Sequence, residues 1–407
     1  MFKKSALLAS SLLLSSASAL AIDVAPTVTI GGYARFQAYG FHNSSTPTYG
    51  PGVTAAQSVA SVPVTGRGRG YALSQTGELA FNVSGQLDSG LKYGYVLALS
   101  GDSGQNMDSF KPTVNENHVL FSDNWGVIEA GDTDGVQDFF TVGPMNVLGA
   151  TGGIGGDYRK VFTTSAEVFT STLMVGDSDY STKVSYYTPR IAGLKAGVSF
   201  TPSTSEKGSR LTDSSTSGQM RSTKNIAVGL NYAKSWNSFG LNLSLAGIAG
   251  RTKRGADTYT STVGNKIRDV RSWSTGMLLT YNRWMFGVGY IDNGTSMVPE
   301  SYARLGADAG KSYSTALGYN FGSSKVGLGY QKTVTNIQTG TSKGKADVLS
   351  LTGDYSVAPG LGIYAEADYA NFRTNSTAVA RNVITNGTKN KGNNRGGIFI
   401  TGVKISF

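Results

Sequence analysis

The chain has 407 residues, a net charge of +10 and no cysteine. Without cysteine it has no disulfide, no thiolate nucleophile and no cysteine ligand for a metal. Its 54 glycines and 21 tyrosines, with only 39% hydrophobic residues, are typical of turns and aromatic strands and argue against a thick apolar core.

The first 21 residues have the pattern of a secretory signal peptide. Lys3 and Lys4 form the charged start, an apolar stretch follows, and small residues suited to cleavage lie at 17–19 or 19–21. Cleavage would remove two basic residues and lower the net charge from +10 to +8. We therefore expect an exported, basic chain. Residues 22–407 are expected to form one domain, because the repeated strands of this part can close into a barrel only as a whole.

No run of about 18 apolar residues follows the signal, so no transmembrane helix is expected. A membrane role would then require a closed barrel of strands, because only such a barrel satisfies every backbone polar group in lipid without helices. The alternative at this stage is a large secreted β-protein.

Alternation between apolar and polar residues begins at Val28. In the stretch 28–41, Ala34 and Phe36 fall on one face, whereas Arg35 and Gln37 fall on the other. A period of two with one apolar face predicts a β-strand.

The same unit recurs along the chain, with short turns alternating with long polar connections. Paired runs separated by turns such as Asp88-Ser89-Gly90 predict hairpins. The runs number about sixteen, which is even and within the range of single-chain outer-membrane barrels. The predicted strands span 28–41, 78–87, 91–99, 117–122, 127–132, 183–188, 194–201, 225–233, 241–249, 273–281, 285–291, 313–321, 325–332, 347–355, 361–369 and 397–407.

Residues 134 to 180 form the longest stretch that does not alternate. This stretch is acidic although the chain is basic, with only Arg159 and Lys160 as cations. Its acids are Asp134, Asp138, Asp157, Glu167, Asp177 and Asp179.

The chain resembles the trimeric general porins of Gram-negative outer membranes, most closely those of alphaproteobacteria. The resemblance is carried by GELAFNVSGQLDSGLKYGYVLAL at 77–99, HVLFSDNWGVIEAGDTDG at 118–135, KVSYYTPRIAGLKAGVSF at 183–200 and the terminal GGIFITGVKISF. It implies an antiparallel transmembrane barrel, passive diffusion of small hydrophilic solutes and ions, and a homotrimer. It also implies that residues 134–180 fold inward as a constriction loop.

Phe407 shares a face with Phe399, Val403 and Ile405, whereas Thr401 departs from that apolar pattern. By the same resemblance, Phe407 is the signal that the barrel assembly machinery reads. Outer-membrane lipid and lipopolysaccharide are the other implied partners, and the basic residues of the long connections suit anionic lipopolysaccharide.

Charged residues on the face opposite the apolar one are expected to line the lumen. The candidates for the lumen and its constriction are Arg35, Glu78, Lys92, Asp138, Asp157, Glu167 and Lys183. In one hypothesis, the acids of the loop oppose the wall cations across the narrowest point. In the other, some of these acids only fix the loop through hydrogen bonds.

Enzymatic and nucleic-acid functions have little support. His42 and His118 belong to no spaced metal or nucleophile group, and no cofactor or metal site is expected. The cations are dispersed over separate connections, which argues against a nucleic-acid groove. The remaining alternatives are a solute-selective channel and a non-channel surface β-protein or adhesin.

Overall fold

The described residues form a closed antiparallel barrel of sixteen strands, as the alternation predicts. The structure is a computed structural model. It describes residues 25–43, 70–101, 113–161, 173–208, 220–254, 266–336, 343–374 and 394–407. The predicted signal, residues 1–21, and the candidate Glu167 lie outside these residues.

The strands follow one another around the barrel in chain order. They are β1 Thr27–Asn43, β2 Tyr71–Gln86, β3 Lys92–Ser100, β4 Thr113–Asp123, β5 Gly126–Asp132, β6 Thr182–Tyr187, β7 Leu194–Ser203, β8 Met220–Trp236, β9 Phe239–Arg254, β10 Val270–Tyr281, β11 Trp284–Asp292, β12 Lys311–Asn320, β13 Ser324–Asn336, β14 Lys343–Ala358, β15 Leu361–Thr374 and β16 Asn394–Ser406. Several are longer than the alternation predicts. For example, the backbone pairing of β8 with β9 extends to Arg221 and Lys253, which lie in polar sequence. It can do so because backbone hydrogen bonds do not require apolar side chains.

The barrel closes where β1 pairs with β16. Arg35 lies opposite Lys404, and Phe407 exchanges two backbone hydrogen bonds with Gly32, at 2.9 and 3.1 Å. Closure gives each of the sixteen described strands a hydrogen-bonded neighbour on both sides.

The outer face of the barrel is apolar and exposed. Phe36 is 55% exposed, Leu328 49% and Phe399 52%, whereas alternate residues of the same strands point inward. Such an outward apolar face is typical of barrels that contact lipid. Thr401 lies on this face and donates its hydroxyl to the carbonyl of Tyr364 at 3.0 Å, so its polar group is satisfied.

Aromatic side chains gather at both ends of the barrel. Trp125, Trp236 and Trp284 lie beside short turns and are more than one-third exposed, which is typical of an aromatic girdle. Trp273 lies at the opposite end, with its ring centroid 5.1 Å from that of Tyr290. Two aromatic belts at opposite ends match the two boundaries between lipid and water.

The segment between β5 and β6, hereafter the inner segment (residues 133–181), packs against the inside of the wall. It contains the short helices α1 Val136–Phe139 and α2 Pro144–Val147 and the 3-10 turns Gly153–Gly155 and Asp157–Lys160. α1 contacts β7 to β9, α2 contacts β10 to β12, and the first 3-10 turn contacts β13 to β15. The inward fold expected for residues 134–180 is therefore observed for the described part.

Inward-facing glycines give the inner segment its path. A β-carbon at Gly287 would lie 2.7 Å from the backbone of Gly143, and one at Gly318 would lie 2.7 Å from Cγ1 of Val147. Side chains at these positions would hold the segment away from the wall. The positions that share this close approach, hereafter the glycine track, are Gly197, Gly229, Gly276, Gly287, Gly318 and Gly329.

None of the helices in the described part of the chain is long and apolar enough to cross a membrane.

Candidate pore constriction

The middle of the inner segment is attached to the far wall through backbone N–H groups. The N–H of Ala150 donates to both oxygens of Asp354 on β14, at 2.8 and 3.0 Å. The N–H groups of Thr151 and Gly153 donate to Glu366 on β15, at 2.8 and 3.2 Å. A carboxylate that accepts several N–H bonds forms charge-assisted contacts, so these two acids hold the segment in place.

Asp157 is one of the predicted loop acids, and it points into the wall beneath the loop. Its Oδ2 accepts hydrogen bonds from Nε2 of Gln37 at 3.0 Å and from the hydroxyl of Tyr39 at 3.2 Å. Lys160 completes the set with an ion pair of 3.2 Å. Only 6% of Asp157 is exposed. Its contacts match the second hypothesis, in which an acid fixes the loop to β1.

Lys183 lies at the root of the inner segment, where the chain leaves β5 and returns to β6. Its side chain is 1% exposed, and its ammonium donates to the carbonyls of Thr133, Asp179 and Ser181. The carbonyls belong to the two ends of the segment, so one side chain joins them. Lys183 therefore lies beneath the segment and not across the lumen from it.

Four carboxylates of the segment surround Lys183 within Coulombic reach: Asp134, Asp138, Asp177 and Asp179. Nε2 of Gln137 donates to Oδ1 of Asp177 at 2.6 Å, which ties α1 to the returning chain. Burial raises the pKa of the Asp179 carboxyl and the charge of Asp177 raises it further, whereas Lys183 opposes both effects. We call these four acids and Lys183 the root cluster.

A second charged group, hereafter the seam cations, consists of Arg35 on β1 and Lys404 on β16. The two residues are direct register partners and face inward. Both approach the ring of Tyr33, with 5.2 Å from the Arg35 guanidinium and 5.6 Å from Nζ of Lys404 to the ring centroid. Their like charges repel each other across the strand pair, which is destabilising.

A cavity of about 500 Å³ opens beside Lys404 and also touches Lys325 and Asp354.

The remaining candidates lie elsewhere in the barrel. Glu78 accepts a hydrogen bond of 2.7 Å from the Asn115 amide on β4. Lys92 lies at the short-turn end of β3, where its register partners on the neighbouring strands are Gln86 and Ser122. His118 is buried on β4, with its Nδ1 4.0 Å from Oε2 of Glu116. The structure thus brings Asp138 and Lys183 together and places Arg35 and Asp157 on or against β1.

Asp354 and Lys404 were not among the candidate site residues, and the anchoring role of Glu366 was not predicted. Lys404 alternates with Val403 and Ile405 of the apolar face, so its inward direction could have been predicted. The anchoring of Asp354 and Glu366 carries no local signal, because their partners are backbone groups about 200 residues away. Among the described residues, no group of three or more histidine or acidic side chains is placed to hold a metal ion.

Comparisons with known proteins point to one family. The profile of a family described as Gram-negative porin matches residues 6–375. An uncharacterized protein of Rickettsia conorii is 25% identical over 63% of this chain and 69% of its own, and one of Rickettsia bellii is 23% identical over the same shares.

Solved structures share the barrel at low sequence identity. An anion-selective porin from Comamonas acidovorans is 16% identical, with a TM-score of 0.58 over 94% of this chain and all of its own. A loop-deletion mutant of OmpT, an outer membrane protein of Vibrio cholerae, is 14% identical, with a TM-score of 0.56 and the same coverage. At this identity the likeness concerns the fold alone.

Proposed function

The chain belongs to the Gram-negative porin family and forms an outer-membrane channel, and on that premise we propose that a transverse electric field acts on solutes at its constriction. The negative side of this field is the root cluster, and the positive side is the pair of seam cations. Small hydrophilic solutes and ions then diffuse between the two sides without any bound cofactor.

The observation that carries this proposal is the separation of the two charged groups around the wall. The root cluster has four carboxylates and one ammonium, so its net charge is negative. All four acids of the cluster are only partly buried, so each can act on the lumen. Asp134 and Asp138, the two members near the end of β5, serve as the pair for testing the negative side.

The seam cations lie on β1 and β16, whereas the root cluster lies at the ends of β5 and β6. Several strands separate the two groups along either direction around the barrel. Charges in a low-dielectric wall are screened less than exposed charges, so buried groups such as Arg35 still act on the lumen.

Two of the candidate residues, Asp157 and Lys183, have other roles in this proposal than opposing each other across the lumen. Asp157 is assigned to anchoring, because three side chains of the wall and the loop already bind its carboxylate. Lys183 is assigned to the root cluster. Glu78, Lys92 and Glu167 stay candidates for the lumen.

The test is the reversal potential of the purified chain in a planar bilayer under a potassium chloride gradient. We expect the double variant Asp134→Asn/Asp138→Asn to shift selectivity towards anions and Arg35→Gln/Lys404→Gln to shift it towards cations. Lys234→Gln, which removes a cation stacked on Trp236 at 5.3 Å near a short turn, is the control. Opposite shifts support the field; no shift, or two shifts of the same sign, contradicts it.

The assembly of the channel is a separate proposal. By resemblance to the general porins, we propose a homotrimer in the outer membrane, exported with cleavage of residues 1–21, assembled through Phe407 and surrounded by lipid and lipopolysaccharide. The molar mass of the detergent-solubilised particle tests the trimer, and amino-terminal sequencing of the membrane form tests cleavage. A channel function leaves no role for catalysis, so we propose that the chain is not an enzyme.

A further inference from the structure

Lys195 is an inward-facing cation of β7 that takes no part in the proposed field. Its Nζ lies 4.8 Å from the ring centroid of Phe139 in α1 and 5.3 Å from that of Tyr187 on β6. The two rings contact each other, with centroids 4.8 Å apart. Contacts with two ring faces keep the ammonium in one place, because a cation is attracted to the face of an aromatic ring.

A second cation, Arg190, is bound to Asn231 of β8, which is the direct register partner of Lys195. The two positive charges are therefore close enough to repel. Its guanidinium is held by the carbonyl of Gly193 at 2.6 Å and by Oδ1 of Asn231 at 2.7 Å. Arg190 is exposed and Lys195 is partly exposed. Two fixed cations that repel each other are stabilised when an anion binds between them.

One acid offsets part of this charge. Glu129 on β5 interacts with Lys195 and with the side chain of Tyr187. Two cations against this one carboxylate leave one positive charge in excess.

Phe139 adds an apolar surface to the charged pair. It is 39% exposed although the inner segment that carries it lies within the barrel, so its open side faces the lumen. Its neighbour Phe140 is 2% exposed and packs against Gly229 of the wall. An aromatic side chain that faces an aqueous channel beside fixed cations offers contact to the apolar part of a solute.

We propose that Lys195, Arg190 and Phe139 form a binding subsite for small organic anions in which a carboxylate is joined to a planar or apolar group. The carboxylate binds between the two cations, and the apolar group packs on the exposed part of the Phe139 side chain. The subsite lies towards the short-turn end of the channel, beside the turn that contains Arg190. The inference rests on the proposed channel, and it adds a solute class that a general field does not distinguish.

The test measures block of single-channel current by benzoate, which combines a carboxylate and a ring. The purified full-length chain is placed in a planar bilayer in potassium chloride, and benzoate, acetate or benzyl alcohol is added to each side in turn. We expect saturable block by benzoate and weaker, unsaturated effects of acetate and benzyl alcohol, because only benzoate uses both parts of the subsite.

Variants locate the block. Lys195→Gln should raise the half-blocking benzoate concentration about tenfold, since one charge-assisted hydrogen bond is worth about one power of ten in affinity. Lys195→Arg should keep the block within about threefold of the original, because the charge and the ring contacts are retained. Phe139→Ala should weaken block by benzoate several-fold and leave the effect of acetate unchanged.

Lys234→Gln is the matched control, because Lys234 also contacts an aromatic ring near the short-turn end. It lies on the exposed outer side, so its loss should leave the block unchanged. Normal conductance with equal effects of benzoate and acetate would overturn the subsite, as would a Lys195→Gln channel with unchanged block. An absence of conductance steps would contradict the channel itself, so the two failures are distinguishable.

Discussion

Thr151 holds Glu366 with two hydrogen bonds, one from its backbone N–H at 2.8 Å and one from its hydroxyl at 2.7 Å, each to a different carboxylate oxygen. Gly153 adds a third bond, at 3.2 Å. Because Glu366 is 1% exposed, water cannot replace these partners. The attachment of the inner segment to β15 therefore depends on this carboxylate.

Replacing Glu366 with alanine should loosen the middle of the inner segment. The change leaves three donors of Thr151 and Gly153 without their acceptor, which we expect to cost about 3 kcal/mol in the free energy of unfolding. Open-channel current noise should rise, and urea unfolding in detergent should shift to lower concentration. Glu300→Ala is the control, because Glu300 pairs with Arg268 and Arg304 in another connection. Unchanged noise in the Glu366 variant would show that other contacts hold the segment.

Replacing Lys183 with methionine should open the root of the inner segment. The substitution keeps most of the side-chain volume and removes the donor shared by the carbonyls of Thr133, Asp179 and Ser181. It also leaves four acids without their central cation. We expect a loss of about 3 to 5 kcal/mol, as for a buried charge group that loses one partner. Thermal unfolding measures it, with the exposed Lys332→Met as control; equal midpoints for the two variants would refute the role of Lys183.

A side chain added to the glycine track should displace the inner segment. A β-carbon at Gly276 would overlap the backbone carbonyl of Val142, and a backbone atom cannot turn aside as a flexible side chain can. Gly276→Ala should therefore destabilise the barrel by about 1 to 3 kcal/mol and lower single-channel conductance. Gly40→Ala is the matched control, because no atom lies within 4 Å of a β-carbon built there. If both variants conduct alike, the segment does not depend on contact with the track.

A cation on the outer face should be costly in lipid. Leu328 is 49% exposed and lies mid-strand between Leu317 and Leu351 of neighbouring strands. In lipid vesicles, Leu328→Arg should reduce the free energy of unfolding by about 2 to 4 kcal/mol, whereas Leu328→Met should change it little. A cost in vesicles no greater than that in detergent solution would contradict contact of this face with lipid.

Much of the barrel could be predicted from sequence because a strand places alternate residues on opposite faces. Arg35 and Phe36 are assigned to their correct sides by this period alone. The break in alternation after Asp132 likewise locates the inner segment, since no strand continues there.

The contacts of the inner segment could not be predicted in the same way. Asp157 and Gln37 are 120 positions apart, and their hydrogen bond depends on the path of the segment through the barrel. That path depends in turn on glycines of several strands, whose significance is visible only once the strands are in register. For Lys183, alternation predicts that the side chain points inward. It does not predict that the ammonium joins the two ends of the inner segment.

The pairing of β1 with β16 joins the two strands that are furthest apart along the described chain. Every other neighbouring pair is consecutive in sequence, so hairpins can form locally and early, whereas this seam must wait for both ends to meet. Closing so long a loop carries the largest entropic cost of any strand pair, and contacts of such high sequence separation slow folding. Until the seam forms, β1 and β16 both present unpaired backbone edges. The rate of barrel closure, and the hazard of aggregation before it, should therefore depend on the residues around Gly32 and Phe407 more than on any hairpin turn.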